Sequence, residues 1–310
     1  MEYNSIGILI TEDCNARCKM CCDSRGLVRG KTLSMNELDI ILENIKQCEE
    51  IHTIGITGGE PLLYPDLIEH ILNYDYGRKV EKTIKTNGFW GKNKEKAKEF
   101  IDKNKDNIHF ISFSYDEFHK EFISLDNIKN IIDISNDYNI KTEIVGCFLN
   151  EGMQPGDVLN ELEDYIYKTN YKYQPVINTG QANNFDEGKF VKLLNTDKHD
   201  IRCITPYASE LLINPQMEVY PCCSQVVENT ILNIGNLNDE SLSSIIESIK
   251  HNKIFHTIFT QGFQPFIEFM DKHNIDYNKR LSSPCELCSF IFKNDWFMKL
   301  ISDEKFYECV

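Results

Sequence analysis

Thr11-Glu12-Asp13-Cys14-Asn15-Ala16-Arg17-Cys18-Lys19-Met20-Cys21-Cys22 follows directly on the apolar run Ile6 to Ile10. Cys14, Cys18 and Cys21 are spaced C-x-x-x-C-x-x-C, so one tight loop after a first strand can aim three sulfurs at a point a few ångströms away. Three thiolates hold three corners of a cubane [4Fe–4S] cluster, whereas full ligation takes four. The corner left over is an iron with an open coordination site. Taken alone, the spacing also admits a zinc knuckle or a chance cluster of structural cysteines.

Downstream of that loop, strand-like and helix-like segments alternate through the first ~180 residues, the pattern of a parallel βα array. Strands are expected at Ile6–Thr11, Thr53–Thr57, Lys82–Lys85, His109–Ser114, Thr142–Phe148 and Tyr173–Ile177. Ser34-Met35-Asn36-Glu37 reads as a capping box opening a helix with Leu38, Ile41, Leu42 and Ile45 on one face. Further helices are expected at Pro65–Tyr74, after Gly91, at Leu125–Tyr138 and from Pro155 to Thr169. Six βα units make an α/β protein built on a partial, TIM-like (β/α)6 barrel over residues 1–183, with its site at the carboxyl ends of the strands.

The notable residues stand at those ends. Strand two runs into Gly58-Gly59-Glu60-Pro61, strand three into Thr86-Asn87-Gly88, strand four into Ser114-Tyr115-Asp116 and strand six into Thr179-Gly180-Gln181. Two glycines let backbone approach a ligand closely, and Glu60 offers an anion to a cationic group.

The cysteine spacing after a first strand, followed one βα unit later by the G-G-E-P turn, resembles the radical S-adenosylmethionine (radical SAM) enzymes. The resemblance implies that the cluster's open iron binds the methionine end of SAM and that Glu60, with Gly58 and Gly59, recognises its amino group. It further implies contacts from Thr86 and Asn87, and from Ser114 and Asp116, to the methionine part and the ribose. The family often has Asp-Gly after strand four; here the pair is Asp116-Glu117.

After Asn183 the alternation stops, and residues 184–310 form a cysteine-rich α+β extension. Cys203 precedes an extended pair, Leu211–Ile213 and Glu218–Tyr220, joined by Asn214-Pro215-Gln216-Met217. Cys222-Cys223 follows, then helical stretches at Ser241–His251 and Phe263–His273, and Cys285-Glu286-Leu287-Cys288. This resembles a truncated auxiliary-cluster extension of the SPASM or twitch type. Met217 stands where that motif usually has glycine, and Asn294 and Met298 stand where two more cysteines would be. The resemblance therefore implies one auxiliary [4Fe–4S] cluster held by Cys203, Cys222, Cys285 and Cys288; a four-cysteine zinc site is the competing reading. Adjacent side chains in an extended segment point to opposite sides, so one of Cys222 and Cys223 is left over; with Cys222 as the ligand, Cys223 reads as a free thiol at the barrel mouth, and a packed small apolar residue is the competing reading. Cys48 and Cys147 read as core residues.

With 33 Lys and Arg against 48 Asp and Glu the chain carries a net −15, which argues against a nucleic-acid backbone as partner. No basic-then-apolar opening and no apolar run near ~18 residues indicates a signal peptide or membrane span. A cytoplasmic protein is expected, in which twelve cysteines serve metals or catalysis before disulfides. The whole layout resembles the epipeptide epimerases. That implies a ribosomally made precursor peptide as substrate, and a reductase or flavodoxin-type protein as electron donor. The reaction implied is L-to-D inversion, with Cys223 returning hydrogen after Cα–H abstraction. A thioether or carbon–carbon crosslinking enzyme, and a non-catalytic zinc protein, are the alternatives.

Overall fold

A computed structural model of the chain describes residues 3–22, 30–203, 209–222, 224–294, 297 and 299. The expected alternation is present: β1 (Ser5–Leu9), α1 (Met35–Gln47), β2 (Thr53–Thr57), α2 (Pro65–Asn73), β3 (Glu81–Thr86), α3 (Lys94–Asn104), β4 (Phe110–Ser114), the single turn α4 (Glu117–Lys120), α5 (Leu125–Asp137), β5 (Lys141–Phe148), α6 (Pro155–Leu162) and β6 (Asn170–Pro175). β1 to β6 lie side by side in chain order and all run parallel. Because the order never reverses, every right-handed crossover falls on the same side of the sheet, and the helices cover one face. That is the wall of an opened (β/α)6 barrel.

Local chemistry explains the elements. Ser34 and Glu37 form the expected reciprocal cap of α1, and Leu38, Ile41, Leu42 and Ile45 are fully buried. The far end of α1 is closed by Arg78, whose guanidinium donates to the carbonyls of Ile45, Lys46, Cys48, Ile51 and Tyr76. A planar cation suits a helix C-terminus, where unpaired carbonyls and the negative end of the dipole converge.

Strand register separates the two faces. Ile8, Ile56, Ile84 and Ile111 form one apolar row against the helices. In the rows facing the other way stand Gly7, Gly55 and Thr83, then Lys85, Ser112 and Glu143. Glu143 accepts a hydrogen bond from Ser112 at 3.0 Å and pairs with Lys172 Nζ at 2.9 Å. The concave face is thus small and polar, suited to a polar guest. Cys147 belongs to it by alternation and is only half-buried; the expectation of an ordinary core residue holds for Cys48, which is buried.

The C-terminal region continues the same sheet. After β7 (Leu194–Asn195), β8 (Glu210–Ile213) pairs parallel with β1, Ser5 opposite Glu210 and Ile8 opposite Ile213. β9 (Glu218–Tyr220) and β10 (Gly235–Asn236) extend it antiparallel to a nine-stranded whole. A barrel wall that does not close leaves the edge of β1 with unpaired backbone groups, and β8 satisfies them. The extension beginning at residue 184 is therefore joined to the barrel by main-chain hydrogen bonds.

Four helices and a short strand follow: α7 (Leu242–Lys250), α8 (Lys253–Gln261), α9 (Gln264–Lys272), β11 (Arg280–Leu281) paired with β7, and α10 (Pro284–Lys293). α8 was not anticipated, although Asn252 caps it and Gly262, at φ +68°, ends it. The helix expected from Pro155 to Thr169 stops at Leu162, because Glu163 takes a left-handed φ of 52° and the chain continues as a tighter 3₁₀ turn. Among the described residues no helix is long and apolar enough to cross a membrane.

Candidate active site

The cysteine loop is held from three sides. Its own turn is closed by Cys21 N–H donating to the Cys18 carbonyl at 3.0 Å. The Gly58-Gly59-Glu60 turn docks on its start, with Gly59 N–H on the Thr11 carbonyl at 2.7 Å and Glu60 N–H on the Asp13 carbonyl at 2.8 Å. A Cβ on Gly58 would lie 2.6 Å from the Thr11 carbonyl oxygen, and one on Gly59 2.3 Å from that of Asp13. These two glycines let loop pack on loop, where ligand approach was the expectation. At the other end Gln181 N–H donates to the Cys21 carbonyl at 2.9 Å, and Gly180 sits so close that a Cβ would fall 2.2 Å from the Cys22 carbonyl oxygen.

Glu60 is fully buried and organises the neighbouring loop. Oε1 accepts from Leu62 N–H at 3.0 Å and Thr86 Oγ1 at 2.8 Å, while Oε2 accepts from Asn87 N–H at 2.7 Å. Burial pushes its carboxyl up to about 7 against the pull of those three donors. Asn87 in turn donates from Nδ2 to Asn15 of the cysteine loop at 2.8 Å. Glu60, Thr86, Asn87 and the cysteines are thus one connected structure.

Ser114 closes β4 half-buried, but Asp116 departs from expectation. It is wholly inaccessible. Its Oδ1 accepts from Phe118 N–H, His119 N–H and His119 Nδ1, and its Oδ2 from Cys147 N–H. A carboxylate so engaged builds the loop and presents no free edge to a ribose. The sequence reading missed His119, whose Nδ1 lies 2.8 Å from the buried Asp116 carboxylate. Burial alone would lower its pKa, but the Asp116 carboxylate and the Cys18 sulfur hold it at about 10. Its only sequence signal was three-residue spacing from Asp116 across a one-turn helix.

Cys203, Cys222, Cys285 and Cys288 line one partly open pocket, completed by Ser224, Val226, Val227, Phe263 and Pro284. Cys285 and Cys288 stand in the first two turns of α10, capped by Ser283, and Cys222 follows β9. Met217 turns the β8–β9 hairpin with a left-handed φ of 65°, which explains glycine in the related motif; here the Met side chain is entirely buried. The same turn reaches the first loop, Gln216 Nε2 donating to Glu12 Oε1 at 2.9 Å. Lys293 ends α10, and partial desolvation lowers its pKa. Cys223 lies outside the described residues.

Among the described residues no three His, Cys, Asp or Glu side chains converge on a single-ion position. The four auxiliary thiols instead surround a volume. The donor chemistry fits iron–sulfur clusters: three thiols on one loop for a cubane with an open iron, and four around a largely apolar cavity for a closed one.

The pattern of the radical SAM superfamily matches residues 8–166, and that of an iron–sulfur cluster-binding domain, SPASM, matches residues 203–289. The chain is 24% identical over 300 residues to the putative peptide biosynthesis protein YydG of Bacillus subtilis (strain 168), covering 95% of this chain and 93% of that one. A solved structure of native anSMEcpe with bound AdoMet and Cp18Cys peptide is similar at TM-score 0.54 and 14% identity, covering 97% of both chains. Another, of Streptococcus suis SuiB bound to precursor peptide SuiA, is similar at TM-score 0.56 and 13% identity, covering 86% of this chain and 66% of that one. At such identities the two structures speak for the fold.

Proposed function

Because the chain belongs to the radical SAM superfamily and carries a SPASM domain behind the barrel, we propose that it inverts L-residues of a ribosomally made precursor peptide to the D form. Its cofactors are a SAM-binding [4Fe–4S] cluster, SAM and auxiliary iron–sulfur. When bound, the SAM cluster and SAM supply a 5′-deoxyadenosyl radical able to take a hydrogen atom from an unactivated carbon.

The residues divide the work. Cys14, Cys18 and Cys21 hold the first cluster; Gly58, Gly59, Glu60, Thr86 and Asn87 shape the seat of SAM, with Ser114 at its rim. Asp116 supports that rim from behind. Cys203, Cys222, Cys285 and Cys288 hold the auxiliary cluster. The peptide lies along the polar concave face between the two cysteine sets. Loss of the Cα hydrogen leaves a near-planar carbon, and the Cys223 thiol returns a hydrogen atom to the opposite face. The resulting thiyl sulfur needs one electron and one proton to become a thiol again, drawn from a reductase or flavodoxin-type donor and from solvent.

The observation that supports this reading is the pocket which, among the described residues, brings Cys203, Cys222, Cys285 and Cys288 together as the four thiols of a complete ligand set. With those thiols occupied, the residue after Cys222 is the thiol left over. The full-length relative named for peptide biosynthesis supports the substrate class.

The test is the Cys223→Ala variant, reconstituted without oxygen and given the precursor peptide. It should form 5′-deoxyadenosine and no D-residue, while the native protein in D₂O adds one deuterium per inverted residue. Inversion by the variant ends the assignment. A product lighter by two hydrogens identifies a thioether or carbon–carbon crosslinking enzyme instead.

A further inference from the structure

Thr179-Gly180-Gln181, after the sixth strand, and Glu286, between Cys285 and Cys288, stand far apart in sequence and meet in the structure. Glu286 is the third residue of α10, where a glutamate ordinarily folds back onto its own helix cap. Its Oε1 does accept from Ser282 N–H at 3.3 Å, just before the cap. The same oxygen accepts from Asn178 N–H at 3.2 Å, 108 residues away. Its Oε2 pairs with Lys192 Nζ at 3.2 Å, and that ammonium pairs with Glu187 Oε1 at 2.9 Å. Asn178 Nδ2 donates to Glu187 Oε2 at 3.0 Å, which closes the circuit. The Glu286 and Lys192 side chains are 8% and 14% exposed, so little water competes for these contacts. Lys192 also lies over the ring of Phe190, part of the apolar cluster against which Cys18 and Met20 pack.

Asn178 begins a short span that ends at Gln181, whose N–H donates to the Cys21 carbonyl at 2.9 Å, with Gly180 seated against the Cys22 carbonyl. One end of this span is thus fastened between two auxiliary cysteines and the other to the first cysteine loop. We propose that Glu286 sets the position of the auxiliary cysteines relative to that loop, and so keeps hydrogen return in step with hydrogen abstraction. The inference rests on the reading of the chain as a peptide epimerase. There the hydrogen is taken from one face of Cα and returned to the other, so the two groups must stand opposite each other across the peptide. The returning thiol adjoins Cys222, and α10 supplies its fellow ligands Cys285 and Cys288. Reacting atoms must approach to about 3–3.5 Å, and a misplacement of about 1 Å costs roughly a hundredfold. Glu60, Thr86 and Asn87 bond to one another and to Asn15, so abstraction has its own support. Glu286 touches no reacting atom; it is a positioning residue.

The experiment gives the precursor peptide to holoprotein variants of matched iron content and counts D-residues and 5′-deoxyadenosine together. Glu286→Ala should keep near-native 5′-deoxyadenosine formation but give about tenfold fewer D-residues per 5′-deoxyadenosine, the loss carried by a shift of about 0.5 Å. Glu286→Gln, which keeps an acceptor for Asn178 and Ser282 N–H, should recover most of that ratio. Hydrogen exchange read by mass spectrometry is independent of turnover: the segment 178–182 should exchange about tenfold faster in Glu286→Ala than in the native protein. A native ratio or native exchange in Glu286→Ala overturns the proposal. If that variant does not assemble its auxiliary iron, Lys192→Met decides, since methionine fills the space of the stem while the circuit opens. It should give about threefold fewer D-residues per 5′-deoxyadenosine, as for half that shift, and an unchanged ratio overturns the proposal. Native protein that cleaves SAM yet forms no D-residue removes the epimerase reading and the proposal with it; faster exchange in Glu286→Ala then marks that failure apart, because the circuit stands without the reaction.

Discussion

Replacing Gly59 by alanine probes how the second strand's loop supports the first. The added Cβ would stand 2.3 Å from the Asp13 carbonyl oxygen, 2.6 Å from its carbon and 2.8 Å from the Glu12 oxygen. All three are backbone atoms, so no side chain can rotate aside, and an ordinary carbon–oxygen contact needs roughly 1 Å more. Overpacking of this kind costs about 1–3 kcal/mol. Relief by moving the loops apart stretches the Gly59-to-Thr11 and Glu60-to-Asp13 hydrogen bonds, each contributing about 1 kcal/mol. The sum is about 3–5 kcal/mol, a fall in Tm of about 6–10 °C at roughly 2 °C per kcal/mol for a chain of this size. The same displacement shifts Cys14 relative to Cys18 and Cys21. Gly59→Ala should therefore hold its auxiliary iron but lose the first cluster, dropping from about eight to about four irons per chain. Gly156→Ala is the control: nothing lies within 4 Å of its would-be Cβ, and in α6 alanine should be neutral or slightly stabilising. Gly59→Ala protein with native Tm, iron content and 5′-deoxyadenosine yield would refute the reasoning.

Three further outcomes follow from particular contacts. Cys285→Ala should also halve the iron, but at the other site, leaving SAM-dependent 5′-deoxyadenosine formation in place; its loss there would mean that the two cysteine sets are not separate. Burial raises Glu60 from 4.5 to about 7, so between those values the folded chain keeps a proton that the unfolded chain has released. Its stabilising contribution is complete below pH 4.5 and lost as pH rises through 7, about 3 kcal/mol in all. The Tm of the cluster-free protein should fall between pH 5 and 8, and Glu60→Gln should flatten the profile; identical slopes would contradict this. Arg78→Lys removes the planar fork that serves five carbonyls at the end of α1, and a lysine cannot replace it. We expect a loss of about 2–3 kcal/mol, read as a Tm drop of about 4–6 °C, and a change below 1 °C would show the network to be incidental.

Much of the barrel was legible because its signals are local. A period of two in Thr53–Thr57 and a helical period in Leu38, Ile41, Leu42 and Ile45 each report which side of one element is buried, and the structure buries those sides. The reciprocal cap of Ser34 and Glu37 needs only four consecutive residues. Where reading failed, two local signals competed or the signal was not local. Glu163 sits in a run that favours helix, yet its left-handed φ breaks it. Asp116 reads as a ligand-facing carboxylate until Cys147 N–H, 31 residues away in sequence, is seen to occupy it.

By itself the sequence determined the βα alternation, the three-thiol loop after the first strand and the four further cysteines, because these depend on spacing along the chain. Only the tertiary structure decided that β8 completes the edge of β1, that four dispersed cysteines line one pocket, and that Asp116 is taken up by His119 and Cys147 N–H. Those arrangements come from pairing and burial between residues far apart in sequence, as when Gln216 meets Glu12 across 204 positions, and no periodicity in a single segment records which distant partner will satisfy a given backbone edge or buried charge.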